Sequence, residues 1–590
     1  MSKGYVNGRL AAWLASASVA AMVLGQPALA EIADYSEVTP ERLAQPEDAN
    51  WLQTRRTYDG QGHSPLTQIT KENVGQLTEV FSHATGPYNT LAEFSALPAR
   101  GAHQAPTIIN DGVMFMTVYD GQVIALDAVT GEEYWRFNRE LPQGLVPVHP
   151  TNRGVALWGD KLYVTTLDAH LIALDAKTGE QVWDQTLENW ENGYYSTLAP
   201  LVADGVVMAG TSGGEFGIRG FVQGFDAETG ESLWKTYTIP APGEPGSESW
   251  PGETWKTGGG PIWITGNYDV EEKLAYWGVG NAAPWIGALR PGDNLYTTST
   301  IGIDPASGEI RTHFQYHWND SWDWDEVVPP TLIDLPGENG ETEKLAVRFA
   351  RNGWIYKLDR EGGELKFIEG KPYVYQNVFK SLDPVTGRPE YNEEAVAKLG
   401  ERVEFCPSAW GGRDWPAESY DPATHTVFIS VNENHCGAME AAEVEYEPGV
   451  LYLGSGLEMT PTEAARDHIG ALQAWDVRTM EKKWQVNFKS PNWGPVLSTA
   501  GGLVFVGGTT DSMFRAFDAE TGDELWSVTL DGGIIAPPVS YEVDGRQYIS
   551  VTTGWGVDGD RFQGFINAAF GDEGDVPQGG TIHVFALPQT

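Results

Sequence analysis

Cysteine is almost missing from this chain: 590 residues hold only Cys406 and Cys436. No Cys-x-x-Cys-His run occurs, so no haem is covalently attached to this chain. In an oxidising compartment the two cysteines are expected to form one disulfide, the alternative being two buried thiols. Basic residues are also scarce, with 38 Lys and Arg against 81 Asp and Glu and a formal net charge of −43. A surface this acidic disfavours nucleic acid and anionic lipid as partners and suits electrostatic steering toward other proteins. Beyond residue 30 no run is long and apolar enough to span a bilayer as a helix. Long helical periodicity is absent too, and 69 Gly with 23 Trp point to an all-β fold rich in turns.

The first thirty residues have the layout of a secretory leader. Lys3 and Arg9 start it, Leu10 to Leu24 is mostly apolar, and Ala28-Leu29-Ala30 supplies small residues at the cleavage positions. Cleavage is expected before Glu31. A retained anchor is the alternative, disfavoured because the apolar run is short and studded with Ala, Ser and Gly. Residues 31–590 are then an exported, periplasmic protein of one domain, with a net charge of −45 once the two leader cations are lost.

Self-similarity runs along the chain. Ala125-Leu126-Asp127-Ala128-Val129-Thr130-Gly131 leads to Trp135, Ala173 to Gly179 repeats it before Trp183, and Gly224 to Gly230 before Trp234. Ala516 to Gly522 repeats it before Trp526, and weaker copies surround Asp476, Asp304 and Asp359. Each copy reads as a strand ending in Asp, a tight turn through Thr-Gly, and a strand carrying Trp. Such four-strand units describe propeller blades, eight in number or else seven, with the Trp packed between neighbours. Thr238 to Thr257, rich in Pro, Gly and Ser, reads as a long loop, and Glu393 to Leu399 as a brief helix.

Near the middle lies His317-Trp318-Asn319-Asp320-Ser321-Trp322-Asp323-Trp324-Asp325-Glu326. Its alternating carboxylates can face a metal or a reacting proton, or the stretch can be an acidic turn with core tryptophans. Other segments decide the matter. Thr211-Ser212-Gly213-Gly214-Glu215-Phe216-Gly217, Gly258-Gly259-Gly260-Pro261-Ile262-Trp263, Gly280-Asn281-Ala282-Ala283-Pro284-Trp285, Trp322-Asp323 and Ala350-Arg351-Asn352-Gly353 follow one another in that order. Together with the repeats they make the whole chain after the leader resemble the quinoprotein alcohol dehydrogenases of the methanol/ethanol dehydrogenase family. These are eight-bladed propellers that use pyrroloquinoline quinone (PQQ).

The resemblance implies a set of roles. Glu215, Asn281 and Asp323 would be metal ligands, with Asp323 also the base that takes the alcohol proton and Arg351 the cation near the quinone oxygens. Thr197, Ser212, Gly213, Gly214, Arg153 and Trp493 would contact PQQ, and Trp263 would lie flat beneath it. Asp325, two residues after Asp323, resembles the lanthanide-using branch, although Trp324-Asp325-Glu326-Val327 departs from the usual continuation with Gly. Ca²⁺ and a lanthanide both stay open. The chain departs further from the family. Its two adjacent cysteines fall at Pro147 and Val148, so the upper face of PQQ must be covered differently, with His149 or Pro150 as candidates. A pocket Glu falls at His103, either a partner for a PQQ carboxylate or an uninvolved polar residue, and a pocket Asn falls at Asp414.

The implied activity is oxidation of an alcohol to a carbonyl compound, with electrons leaving to a separate acceptor such as a soluble cytochrome c. The departures favour a bulkier primary or secondary alcohol over methanol, or a sugar or polyol as in sorbose-type relatives. A non-catalytic propeller scaffold, or a hydrolase using Asp323 and Asp325 as paired carboxylates, are the rival readings. The first would usually carry a lipoprotein cysteine after the leader, which this chain lacks.

Overall fold

The computed structural model describes residues 31–86, 102–118, 121–337, 340–570 and 575–589, so the leader expected over 1–30 lies outside them. The fold is all-β. Among the described residues the strands assemble into eight sheets of four or five strands, plus a pair and a three-stranded sheet. Most of the eight are built from strands consecutive in sequence, such as Ile108–Asn110, Val113–Val118, Gln122–Asp127 and Glu133–Asn138. One sheet joins the two ends of the chain: Thr78–Ala84 pairs antiparallel with Gly579–Ala586. The smaller sheets, Phe379–Leu382 with Pro389–Tyr391, and Arg402–Phe405 with His435–Glu440 and Glu458–Pro461, fall where the repeat spacing widens.

The repeated turn has a direct chemical basis. Asp127 Oδ1 accepts from the backbone N–H of Val129 (2.9 Å) and Thr130 (2.8 Å), closing the turn from its own side chain. Asp175 and Asp226 do the same in the next two copies. Gly131, Gly179 and Gly230 sit at positive φ, and Gly179 has a second constraint. A Cβ there would lie 2.6 Å from the Trp135 ring of the preceding sheet.

The tryptophans dock as the repeat implies. Trp135 Nε1 donates to the Ala176 carbonyl, Trp183 to Ala227, Trp234 to Pro305 and Trp484 to Ala519, each in the turn of the following sheet. One residue thus seals an apolar interface and satisfies a backbone acceptor, and removing a buried indole typically costs ~3–5 kcal/mol. Inner strands such as Val113–Val118, Leu274–Gly278 and Thr426–Asn432 are buried at every position, because neighbouring sheets cover both faces. The last strand of a sheet, as in Ser232–Tyr237, is partly solvent-facing.

The expected loop at 238–257 carries only short 3₁₀ turns, Ser247–Ser249 and Thr254–Thr257, and the brief helix is a 3₁₀ turn at Glu393–Ala395. Cys406 and Cys436 form the disulfide, with Cα atoms 4.2 Å apart. It ties the strand end at Phe405 to the strand His435–Glu440 of the inserted sheet. Reduction should lower stability by ~2–4 kcal/mol, read as a shifted denaturant midpoint. Labelling of unfolded, unreduced protein should find no free thiol, and two reactive thiols per chain would contradict the pairing.

Candidate functional site

The central stretch is irregular backbone between the strands Ile310–Gln315 and Thr331–Pro336, and its side chains divide between core and cavity. Trp322 and Trp324 are fully buried and stack at 5.1 Å. Their indole N–H groups donate to the carbonyls of Ala395 (2.8 Å) and Ser408 (2.9 Å). Asp323 and Asp325 instead both line one cavity. Asp323 takes a positive φ of 60°, a conformation that Asp tolerates better than most residues. The other two carboxylates are structural. Asp320 Oδ1 lies 3.1 Å from His317 Nε2, and Glu326 accepts from Arg348 (2.9 Å) and from the Arg351 backbone (3.1 Å).

The cavity is tight, with about 50 Å³ of room for a water-sized sphere. Its floor contains Trp263, whose Nε1 donates to Asp325 Oδ2 at 3.0 Å. The Arg153 guanidinium lies 4.6 Å from the Trp263 ring centroid. Arg153 Nη1 donates to Thr197 Oγ1, which also pairs with Ser212 Oγ at 3.0 Å. Arg153 Nε is buried without a hydrogen-bond partner, and burial pushes this guanidinium down to about 10. Gly213, at φ 104°, cannot be replaced: a Cβ there would lie 2.1 Å from the Gly193 carbonyl oxygen.

Three carboxylates, Glu215, Asp323 and Asp325, make the acidic part of the lining. Asn281 stands just behind, fully buried, its backbone N–H donating to Asp325 Oδ1. The Asn281 amide oxygen is so close to the Glu215 loop that a Cβ on Gly214 would lie 2.6 Å from it. Burial pushes the Asp323 carboxyl well above the ordinary range, Arg351 opposing and Asp325 and Glu215 adding to the rise. Burial likewise raises Asp325 to about 7, again against Arg351. Several buried acids lining one cavity leave a demand for positive charge that a cation would meet. Arg351 supplies part of it, with Nη1 2.9 Å from Asp414 Oδ1 and 3.6 Å from Asp325 Oδ2. Among the described residues no three His, Cys, Asp or Glu side chains form a metal cluster by themselves.

Of the residues expected at the site, Arg153, Thr197, Ser212, Gly213, Glu215, Trp263, Asp323, Asp325, Arg351 and Asp414 line the cavity. Gly214 and Asn281 back its acidic corner. Trp493 and His103 are set back from the wall. Trp493 stacks on Trp415 at 5.5 Å, so it supports Trp415, which does line the cavity. His103 Nε2 pairs with Thr85 Oγ1 at 2.8 Å, and burial lowers its imidazole to about 4. The sequence reading missed Tyr195, Trp415 and Asp558 on the wall. Tyr195 had a signal, standing two residues before Thr197 on the same face. Asp558 had none.

Comparison with known proteins gives one consistent picture. The family described as "Glucose/ethanol/alcohol dehydrogenase, beta-propeller domain" matches residues 51–372 and 459–549. The chain is 35% identical over 594 residues to quinoprotein alcohol dehydrogenase PedH of Pseudomonas putida, covering 96% of each. It is 35% identical over 584 residues to the dehydrogenase subunit of an Acetobacter aceti alcohol dehydrogenase (quinone), covering 92% of this chain and 76% of the relative. Among solved structures, a europium-containing methanol dehydrogenase superposes with a TM-score of 0.85 at 31% identity, over 93% of this chain and 100% of the other.

Proposed function

This chain belongs to the PQQ-dependent quinoprotein alcohol dehydrogenases, and from that premise we propose how its own residues carry out alcohol oxidation, and on what. The observation that carries the reading is the single cavity in which Trp263, Arg153, Arg351, Glu215, Asp323 and Asp325 meet. The residues suit the cofactor: an indole face for a flat ring system, a buried guanidinium N–H without a partner for a carboxylate, and a hard-oxygen corner for a cation. When bound, PQQ supplies the quinone that accepts hydride from the alcohol carbon, and the cation polarises the quinone carbonyl.

The protein supplies the rest. Asp323 takes the hydroxyl proton at its carboxylate. Its raised pKa belongs to the state without a cation, and a bound cation would favour the ionised form the base needs. Arg351, held by Asp414 and by the Ala409 carbonyl at 2.8 Å, stabilises negative charge developing on oxygen. Trp263 is kept at a fixed tilt by Asp325. Thr197, Ser212 and Arg153, on the same cavity wall, would hold the ring system in place. Glu215, the Asn281 amide oxygen, Asp323 and Asp325 would hold Ca²⁺ or a lanthanide ion through hard oxygen atoms.

The substrate is a primary or secondary alcohol bulkier than methanol. This is supported by Pro147 and Val148 in place of a cysteine pair and by Asp414 beside Arg351. A sugar or polyol is the second reading, supported by the same departures. Electrons pass to an external acceptor, a soluble cytochrome c, in keeping with a chain that has no haem-attachment motif. Residues 1–30 act as an export leader to the periplasm, 31–590 form one domain, and the eight sheets are the blades of one propeller. No helix among the described residues is long and apolar enough to cross a membrane.

The test is reconstitution of metal-free, PQQ-free protein with PQQ and either Ca²⁺ or a light lanthanide, followed by dye reduction with a panel of alcohols and polyols. Dye reduction should require both additions and favour larger alcohols over methanol. No PQQ-dependent reduction with any alcohol would overturn the reading, and a preference for methanol would overturn the substrate assignment.

A further inference from the structure

His149 and Asp558 are 409 residues apart in sequence, yet they face each other across the cavity wall, with His149 Nδ1 2.6 Å from Asp558 Oδ1. Asp558 is held on both sides, because its Oδ2 accepts from Gln104 Nε2 at 2.8 Å. Its side chain is 4% exposed, whereas that of His149 is 35% exposed, and both line the cavity. With Nδ1 committed to Asp558, the remaining ring nitrogen, Nε2, has no hydrogen-bond partner among the described residues. Buried carboxylates are paired or costly, so this contact is built into the fold.

The support behind Asp558 is equally specific. It sits in the first turn of the helix Gly556–Phe570, which follows the fully buried Trp555. Gly556, at φ 64°, packs so tightly on Ala102 that a Cβ there would lie 2.3 Å from the Ala102 Cβ. Trp555 and Ile566 join the apolar cluster that contains Trp415 and Trp493. The helix is thereby pinned to the wall of the cofactor cavity. Burial alone would lower the His149 imidazole pKa, and the Asp558 carboxylate reverses this, so His149 lies above its ordinary value. Asp558 itself is held at about 2, against burial, by His149 and also by Arg561 and Arg153. Glu215 is the other carboxylate acting on His149, and Arg561 opposes.

His149 follows directly on Pro147 and Val148, the two positions at which relatives of this family carry adjacent cysteines. We propose that the His149–Asp558 pair is this chain's substitute for that cover: with Nδ1–H donated to Asp558, the imidazolium form of His149 donates its Nε2–H to an oxygen of the bound tricarboxylate quinone, and Asp558 and Gln104 hold the ring in place. This rests on the PQQ reading above and goes beyond it by assigning the open face of the cofactor. Because Asp558 belongs to the C-terminal helix, occupancy of the cavity and docking of that helix are coupled. His149 is a cofactor-binding residue and Asp558 a positioning residue.

The experiment is a PQQ titration followed by quenching of tryptophan fluorescence, at constant saturating metal, for wild type, His149→Ala, Asp558→Asn and the double variant. Each single change should raise the PQQ dissociation constant about tenfold or more, as loss of a hydrogen bond to a charged group does. The double variant should be little worse than either single one, since the two act as a unit. His149→Gln, which keeps a donor without the charge, should recover part of the loss. Hydrogen exchange over residues 556–570 should slow on PQQ addition in wild type and much less in Asp558→Asn. His149→Ala carries the test if Asp558→Asn fails to fold, because it removes a partly exposed side chain and leaves the helix seat intact. Dissociation constants within twofold of wild type, or strictly additive losses, overturn the proposal. A wild type that binds no PQQ overturns the functional reading itself, so the two failures are distinguishable.

Discussion

Asp323→Asn should lower alcohol turnover by ~10²–10⁴-fold, the usual cost of deleting a general base, while the folded protein and its PQQ binding persist. The geometry supports so large and local an effect. Asp323 enters the cavity between two fully buried indoles that anchor its backbone, so an isosteric amide changes charge and proton affinity without loosening the chain. Asn accepts the left-handed φ of 60° as readily as Asp. The change also removes a negative charge from the acidic corner, so metal affinity falls in parallel. Turnover must therefore be compared at saturating metal, with occupancy checked by elemental analysis. A metal-loaded, PQQ-loaded Asp323→Asn enzyme with near-normal turnover would move the base to another residue. Asp325, raised to about 7 and on the same wall, would be the first to examine.

The second large effect concerns Asp325 and the metal. Ca²⁺ and the lanthanides both take hard oxygen ligands, so discrimination rests on charge and ligand number. Glu215 and Asp323 bring two carboxylates and Asn281 a neutral amide, and Asp325 adds a third carboxylate on the same face. Asp325→Ala should cut lanthanide-supported turnover at least ~10-fold more than Ca²⁺-supported turnover, since a trivalent ion loses more from each missing charge. Asp325 has a second duty, because its oxygens also accept from Trp263 Nε1 and from the Asn281 backbone. Some loss is therefore expected with both metals, from a loosened cavity floor. Selectivity must be read from the ratio, and Asp325→Asn, which retains an acceptor, should recover part of the common loss. Equal losses with both metals would make Asp325 a positioning residue for Trp263. Wild-type activity with Ca²⁺ alone would end the lanthanide reading and leave the enzyme class untouched.

Two residues of the site show where sequence reasoning reached its limit. The resemblance placed Trp493 against the cofactor, yet the tertiary packing puts Trp415 on the cavity wall and Trp493 behind it, stacked at 5.5 Å. Both sit in strand-connecting segments with the same local chemistry, and only the path of the neighbouring sheets decides which indole is in front. His103 is similar. Its type left open a partner for a carboxylate or an uninvolved polar residue, and the fold buries it beside Thr85.

What the sequence determined by itself was whatever depends on short-range chemistry. The Asp-x-x-Thr-Gly turns, the docking tryptophans, the two-residue spacing of Asp323 and Asp325, and the order of the site segments are all local patterns, because turn geometry and strand period act over a few residues. The tertiary structure alone decided which distant groups share one cavity. Asp558 reaches His149 across 409 residues, Arg351 is divided between Asp325 and Asp414, and Asp320 and Glu326 are turned into structural bonds. Burial and charge pairing are sums over neighbours from many sheets, and no window of sequence contains those neighbours.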